Sequence, residues 1–316
     1  MKLNPRMLSR LGLNGSFGLA MTELPALHEN IGVFTADLQN FSGLDRFAKD
    51  FPDRMFNVGI AEQNLIGTAA GYASEGNIAY ATTYASFAAM RDLDQVSVNM
   101  AYMQLNVKLV GLTAGFSTGI LGATHICTTD LAIIQALPNI TILSPADGME
   151  TYKATLAAAD IDGPVYLRLT GSMNNPIVYK EDFDYHVGKA NVIMDGSDLA
   201  IIATGSMVAI GLEAAERLSG EGINCKVIDM HTIRPLDKDA VIEAGKIGRV
   251  VTIEEHGVVG GLGSTICQFY NELGISTHLL NIGVPCEYTK AARYQSLLLK
   301  YGLNSDSIAD RIKKFI

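Results

Sequence analysis

The sequence predicts an α/β protein made of two three-layer α/β/α domains, each built on a mostly parallel sheet. Three observations lead there. Short apolar, β-branched runs alternate with segments of helical spacing. Those runs are continuously apolar rather than alternating, as in strands covered on both faces. One polar stretch with several glycines and a proline, residues 171–198, then divides the alternation in two and reads as a linker carrying a short β ribbon. The domains are therefore expected at 1–180 and 190–316.

In the first half the strand runs are IGVFTAD (31–37), AYATTY (79–84), VKLVGLTA (107–114), ITILSPA (140–146) and VYLRLT (165–170). A helix over about 59–75 is small or apolar on nearly every side, the pattern of a helix buried in a core or an interface. In SPADGMET, Asp147 can cap a helix and Glu150 can reciprocate three residues later. In the second half LAIIATG (199–205) precedes a helix that Ser206 can cap and Gly220 can end. CKVIDMHTI (225–233) leads through RPLD into a second helix. RVVTIEE (249–255), a glycine-rich turn and a third helix follow, and HLLNIG (278–283) is the last strand.

The 316 residues are 48% hydrophobic with a net charge of −9. That builds real cores and offers no cationic surface for nucleic acid. Cysteines 127, 225, 267 and 286 form no C-x-x-C pair, so neither a zinc nor a dithiol motif is visible, and free thiols in a reducing cytosol are expected. Asn4, Pro5, Arg6 and Arg10 interrupt the N-terminus as a signal core. No apolar run reaches the roughly 18 residues of a membrane span. A soluble cytoplasmic protein is the expectation.

Four stretches can carry chemistry. Glu62 lies in GIAEQNLIGTAAGYA with no partner nearby in sequence. A helix N-terminus alone can stabilise such a carboxylate. Tyr84 and Phe87 fall where a strand meets a helix, the position at which open α/β sheets bind ligands. They can hold a flat ring or simply pack in the core. Arg91, one turn beyond Phe87, reads as an ion-pair partner. The long glycine-spaced loop TAGFSTGILGATHICTTDLA (113–132) presents His125, then Thr128, Thr129 and Asp130. His125 can move a proton, bind a substrate oxygen or make a structural hydrogen bond. EEHGVVGGLGS (254–264) has glycines at 257, 260, 261 and 263 but matches neither a Walker A loop nor G-x-G-x-x-G. It reads as a turn that needs positive φ.

Together these stretches resemble the C-terminal half of transketolase over most of the chain. FNVGIAEQN…AAGYASEG resembles the segment with the glutamate that activates thiamine diphosphate. ASF (85–87) is similar to the strand end whose phenylalanine packs on the aminopyrimidine, and GATH to the loop with a substrate-contacting histidine. LPNITILSPADGMET, IIATGSMV, VIDMHTIRPLD and EEHGVVGGLGS extend the resemblance through both domains. The resemblance implies that a carboxyl at the pyrimidine N1′ favours the imino tautomer that deprotonates the thiazolium C2. An apolar pocket around Glu62 strengthens that hydrogen bond. It further implies two-carbon ketol transfer from a ketose to an aldehyde, with Glu62 and His125 catalytic and Glu62, Phe87, Tyr84 and Asp37 binding thiamine diphosphate. His125, Arg91, Arg168 and Leu121 are the substrate-binding candidates.

The family holds the diphosphate through Mg²⁺ with a G-D-G motif and a downstream asparagine. No GDG occurs here. The implied enzyme is split: an N-terminal partner subunit carries the Mg²⁺ and diphosphate site, no metal ligands are expected on this chain, and an α₂β₂ heterotetramer is the simplest closed assembly. The chain also departs from transketolase at substrate positions. Leu121 stands where the family has an acidic residue and Thr113 where it has a histidine. Gly171 and Asn14 stand near two expected arginines, with Arg168 three residues before the first. Each lost charge-assisted contact is worth about 1.5–3 kcal/mol, so a modified, less phosphorylated sugar is expected. The β subunits of 2-oxo-acid dehydrogenase decarboxylases and the deoxyxylulose-phosphate synthases share the arrangement. A non-catalytic subunit that stabilises a partner is the alternative outside catalysis.

Overall fold

The computed structural model describes residues 3–316. Its strands are β1 (Ile31–Thr35), β2 (Met55–Asn57), β3 (Ile78–Tyr84), β4 (Val107–Leu112), β5 (Thr141–Leu143), β6 (Val165–Arg168), β7 (Asn191–Met194), β8 (Leu199–Ala203), β9 (Cys225–Asp229), β10 (Thr232–Arg234), β11 (Arg249–Gly257) and β12 (His278–Val284). They form a seven-stranded sheet, β10-β5-β6-β4-β3-β1-β2, and a five-stranded sheet, β12-β11-β8-β9-β7. Each is parallel except for one antiparallel edge strand, β10 in the first and β7 in the second. Helices flank both sheets, as continuous apolar strands require. Among the described residues no helix is long and apolar enough to cross a membrane.

One strand departs from the sequence expectation. CKVIDMHTI is not a single strand of the second half. It breaks at Met230 and His231, and β10 crosses to pair with β5 of the first sheet. Backbone pairing explains the crossing, because the β5 edge would otherwise be buried with unpaired groups. The Ser144 N–H donates to the His231 carbonyl at 2.8 Å. The Arg234 guanidinium then donates to the carbonyls of Gln135 and Leu137. Apolar packing follows the same path: Leu131, Ile134 and Ile142 share a core with Met230, Ile233 and Leu262. Phe116 and Ile126, from the long loop, lie in a second core with Val251 and Leu297.

A buried polar network crosses the same boundary. Arg168, at the end of β6, is fully buried and donates through Nε to Asp130 Oδ2 at 2.7 Å and through Nη2 to the Glu255 carbonyl at 2.9 Å. The Tyr166 hydroxyl donates to the same Asp130 oxygen at 2.8 Å. Burial opposes the Asp130 charge, but Arg168, His256 and Tyr166 outweigh it and hold the carboxyl below its ordinary range. Glu255 accepts from the Phe116 N–H, the Ser206 hydroxyl and the Tyr294 hydroxyl. Gly115 crosses this carboxylate at φ +69, where a Cβ would collide with it.

Helix ends follow the expected residues with local changes. Asp147 caps the helix Gly148–Ala159 by accepting from the Glu150 N–H at 3.0 Å. Glu150 reaches back one residue further than a capping box requires, to the Ala146 N–H at 2.7 Å. Ser206 stands at the N-cap of Met207–Gly220, but its hydroxyl is committed to Glu255 and makes no cap bond. That helix ends with Gly220, and the positive φ falls two residues later, at Gly222.

Glu150 and Asp229 meet across the boundary, both fully buried. Glu150 Oε1 and Asp229 Oδ1 accept from no donor, while Asp229 Oδ2 accepts from the Tyr179 hydroxyl at 2.7 Å. Burial raises Asp229 to about 7. Burial and then the Asp229 charge raise Glu150 well above its ordinary value. Burial and the mutual repulsion of two carboxyls thus both favour the protonated form of Glu150.

Two outcomes follow. Arg168→Met strands Asp130 as a buried unpaired charge and is expected to cost about 3–5 kcal/mol, read by urea denaturation at neutral pH. The raised carboxyls act in the opposite sense to Asp130. The unfolded chain ionises them first, so their share of stability falls as pH rises, between about pH 5 and 8. Glu150→Gln keeps a donor toward Asp229 without needing a proton. It should flatten that fall in denaturation midpoints measured across the window.

Candidate functional site

The C-terminal ends of β1, β3 and β4 form one rim, and the chain conformation there is unusual. Asp37, just past β1, has φ +61, and Thr113, just past β4, has φ +53. Non-glycine residues in this region carry strain and cluster at functional sites. Asn57, ending β2, pins the first turn. Its Oδ1 accepts from the Asp37 N–H at 3.1 Å and the Gly59 N–H at 3.0 Å, and its Nδ2 donates to Asp37 Oδ1 at 3.0 Å. That turn delivers the chain to the helix Glu62–Ser74.

Glu62 is the first residue of this helix and its side chain is only 3% exposed. The helix start lacks a side-chain cap, so a carboxylate there meets unpaired N–H groups and the positive end of the helix. Its ionic partner is Arg91, whose Nη1 donates to Glu62 Oε1 at 2.8 Å. The guanidinium also lies on Phe87, with Cζ 3.8 Å from the ring centroid. Both residues come from the turn after β3, where the short helix Ala85–Met90 begins at Tyr84.

The β4 loop closes the other side. Gly115 and Cys127 pair across its neck, at 2.7 and 3.0 Å, and so fix His125 at the rim. The His125 ring meets Tyr84 edge to face at 5.5 Å and Phe87 at 5.3 Å. Its Nδ1 shares a hydrogen bond of 2.9 Å with the Thr124 hydroxyl, leaving Nε2 as its other polar atom. Tyr84 and Phe87 meet at 5.6 Å. Glu62, Tyr84, Phe87, Arg91 and His125 are thus one cluster, drawn from three segments.

The other sequence candidates fall differently. Asp37 stands on the same rim, exposed, on the strand next to β3. Leu121 is half exposed in the outer turn of the loop, Gly119–Thr124, and makes no part of the cluster. Arg168 is not at the rim. It has no exposed surface and is consumed by Asp130 and the Glu255 carbonyl, so the structure gives it a structural role in place of substrate contact. Asp130 goes with it into the core. The glycine-rich turn also resolves differently: only Gly260 of its four glycines has positive φ. The helix it opens, Leu262–Leu273, meets the chain's own anion, because Glu254 accepts from the N–H groups of Leu262 at 2.7 Å and Gly263 at 2.9 Å. A phosphate has no place there.

The structure adds residues the sequence did not single out. Phe41 packs edge to face on Tyr84 at 5.3 Å and is half exposed. Asp92 is fully buried and neither carboxyl oxygen has a partner. Burial, and then the Glu62 charge, raise it to about 8, which favours its protonated form beside the Glu62–Arg91 pair. The hydroxyls of Thr83, Ser86 and Thr113 are likewise buried and unpartnered at these strand ends. Adjacency to Arg91 was the one available signal for Asp92. None marked Phe41.

This cluster suits a flat heterocycle bearing an N–H. The Arg91 guanidinium, itself planar, cationic and a donor, shows that such a group fits against Phe87 and Glu62 together. Two cavities of about 520 and 530 Å³ lie elsewhere: neither is lined by Glu62, Phe87 or His125.

Comparison with known proteins covers both halves of the chain. Residues 11–175 match the family model of the transketolase pyrimidine-binding domain, and residues 188–308 that of the transketolase C-terminal domain. A Methanocaldococcus jannaschii protein named as a transketolase C-terminal section is 37% identical, with 95% of each chain covered. One subunit of the apulose-4-phosphate transketolase of Phocaeicola vulgatus is 35% identical over 95% of this chain and 96% of its own. A split-gene transketolase solved as an inactive β4 tetramer superposes with a TM-score of 0.86 at 38% identity, covering 96% of this chain and 97% of its own. With a rim built around a buried glutamate and an aromatic face, and with both domain models matched in order, the chain belongs to the transketolase family and corresponds to its C-terminal section.

Proposed function

We propose that this chain is the C-terminal subunit of a thiamine-diphosphate-dependent transketolase-type enzyme that moves a two-carbon ketol unit from a ketose to an aldehyde. One observation carries the reading: a buried glutamate and a phenylalanine face converge on the same flat, N–H-bearing group. In this reading Phe87 stacks on the aminopyrimidine, Tyr84 and Asp37 border it, and Glu62 holds the proton at the ring nitrogen N1′. When bound, thiamine diphosphate supplies the carbanion chemistry. Dryness around Glu62 strengthens its hydrogen bond, and Tyr84 and His125 wall the ring from the loop side. His125 presents Nε2 toward the substrate oxygens and assists proton movement there.

The rest of the site belongs to a partner. The sequence has no G-D-G. An N-terminal subunit would supply the Mg²⁺ and diphosphate ligands in an α₂β₂ heterotetramer. The relative that forms an inactive β4 tetramer supports a requirement for a second subunit. The domains are taken as 1–180 and 190–316, and a reducing cytoplasm suits four free cysteines, two of them exposed. Substrate selection differs from ordinary transketolase, because an apolar Leu121 faces solvent on the loop and Arg168 is withheld in the core.

Glu62→Gln in the assembly with its partner is expected to lower kcat by about 10²–10⁴ with the melting temperature little changed. Near-normal turnover overturns the catalytic role. Calorimetric titration of the isolated chain with thiamine diphosphate and Mg²⁺ should show weak binding, and tight Mg²⁺-dependent binding overturns the split site. Poor turnover of xylulose 5-phosphate with ribose 5-phosphate is the expected specificity. Consumption of pyruvate instead would favour a decarboxylating or deoxyxylulose-phosphate-synthase-type reaction.

A further inference from the structure

The contacts of Arg91 are those a cofactor ring needs, and they are already made. Its guanidinium lies flat on Phe87, Cζ to centroid 3.8 Å, and its Nη1 donates to Glu62 Oε1 at 2.8 Å. A planar group with an N–H edge thus uses one aromatic face and one buried carboxylate at once. The remaining approaches to Phe87 are restricted, because Tyr84 and His125 stand edge to face against it.

We propose that Arg91 is a resident occupant of the ring site: it fills the place of the aminopyrimidine in the chain on its own and must swing out when the cofactor enters. The inference rests on the reading of Glu62 and Phe87 as the ring-binding pair. Two flat groups cannot occupy the same ring face at van der Waals distance, so the contacts are exclusive. Electrostatics gives the occupant its purpose. Glu62 is 3% exposed, and Asp92 beside it offers a second buried carboxyl without a partner. With the site empty, an unpaired carboxylate there would be strongly unfavourable. Arg91 removes that cost, and the N–H edge of an incoming ring replaces it.

Arg91 has somewhere to go. Its side chain is 47% exposed, against 3% for Glu62, so rotation leads outward into solvent. It stands in the break between the helix Ala85–Met90 and the short turn Leu93–Gln95, followed by the π-helical stretch Val96–Tyr102. The exposed Met90 and Val98 leave this side open. The resident group thus reduces cofactor affinity by the fraction of molecules in which it is seated.

The test is calorimetric affinity for thiamine diphosphate, with Mg²⁺ in excess, in the assembly with the partner subunit. Arg91→Ala is expected to tighten binding on the order of tenfold. Arg91→Lys keeps a cation for Glu62 but loses the flat stack, and is expected to fall between Ala and the parent. Lys therefore decides the matter if Ala fails to fold. Unchanged or weaker binding in the folded variants overturns the proposal and makes Arg91 a contact of the loaded site. A structure of the loaded assembly with the guanidinium still on Phe87 and Glu62 does the same. Glu62→Ala separates the two readings. If it binds and turns over like the parent, the ring-site assignment itself fails. If it loses both while the Arg91 variants bind no tighter, the resident role alone fails.

Discussion

The seating of the loop that carries His125 depends on one buried guanidinium. Arg168 closes β6 with no exposed surface, and its donors reach Asp130 on the loop side and the Glu255 carbonyl on β11. Asp130 sits five residues after His125, so the pair anchors the end of the loop that carries the histidine. The Glu255 side chain anchors the start of the same loop through the Phe116 N–H. A long glycine-spaced loop would otherwise have little to fix it, since its backbone has few regular partners. A buried ion pair is a poor source of net stability, but it tolerates few alternative arrangements. Here it defines how a loop from one sheet rests on the other.

The other parts of the candidate site are held in the same way, from the backbone. Glu62, Phe87 and His125 arrive on three separate segments, each fixed at its base: Asn57 holds the turn before Glu62, β3 runs directly into Tyr84 and Phe87, and the Gly115–Cys127 pairing holds His125. Of the side chains, Glu62 is buried while Phe87 and His125 are partly exposed. Rigidity at this edge is concentrated in the backbone.

Two groups of buried, unsatisfied polar atoms stand out among those the described residues carry. Glu150 and Asp229 lie deep at the domain boundary, where burial raises both carboxyls above their ordinary range. Asp92 and the hydroxyls of Thr83, Ser86 and Thr113 lie at the strand ends beneath the ring face. Buried polar groups without partners are uncommon in folded proteins.

Much of this was legible in the residues. Continuous apolar strands and helical spacing determined two parallel α/β units, because covered sheets need that pattern whatever their neighbours do. The isolated carboxylate of Glu62, the aromatic pair at a strand end and His125 on its loop were visible as well, since an unpaired charge among apolar residues has few plain explanations. Tertiary structure alone decided the partners. Arg168 and Leu121 looked equally available in the sequence, yet one is drawn into the core by Asp130 and the other is left outside. The strand β10 crossed to the other sheet because an edge needed pairing, and Phe41 reached Tyr84 from a distant turn. Spacing along a chain reports local conformation and burial; which donor meets which acceptor is set by packing between segments far apart in sequence.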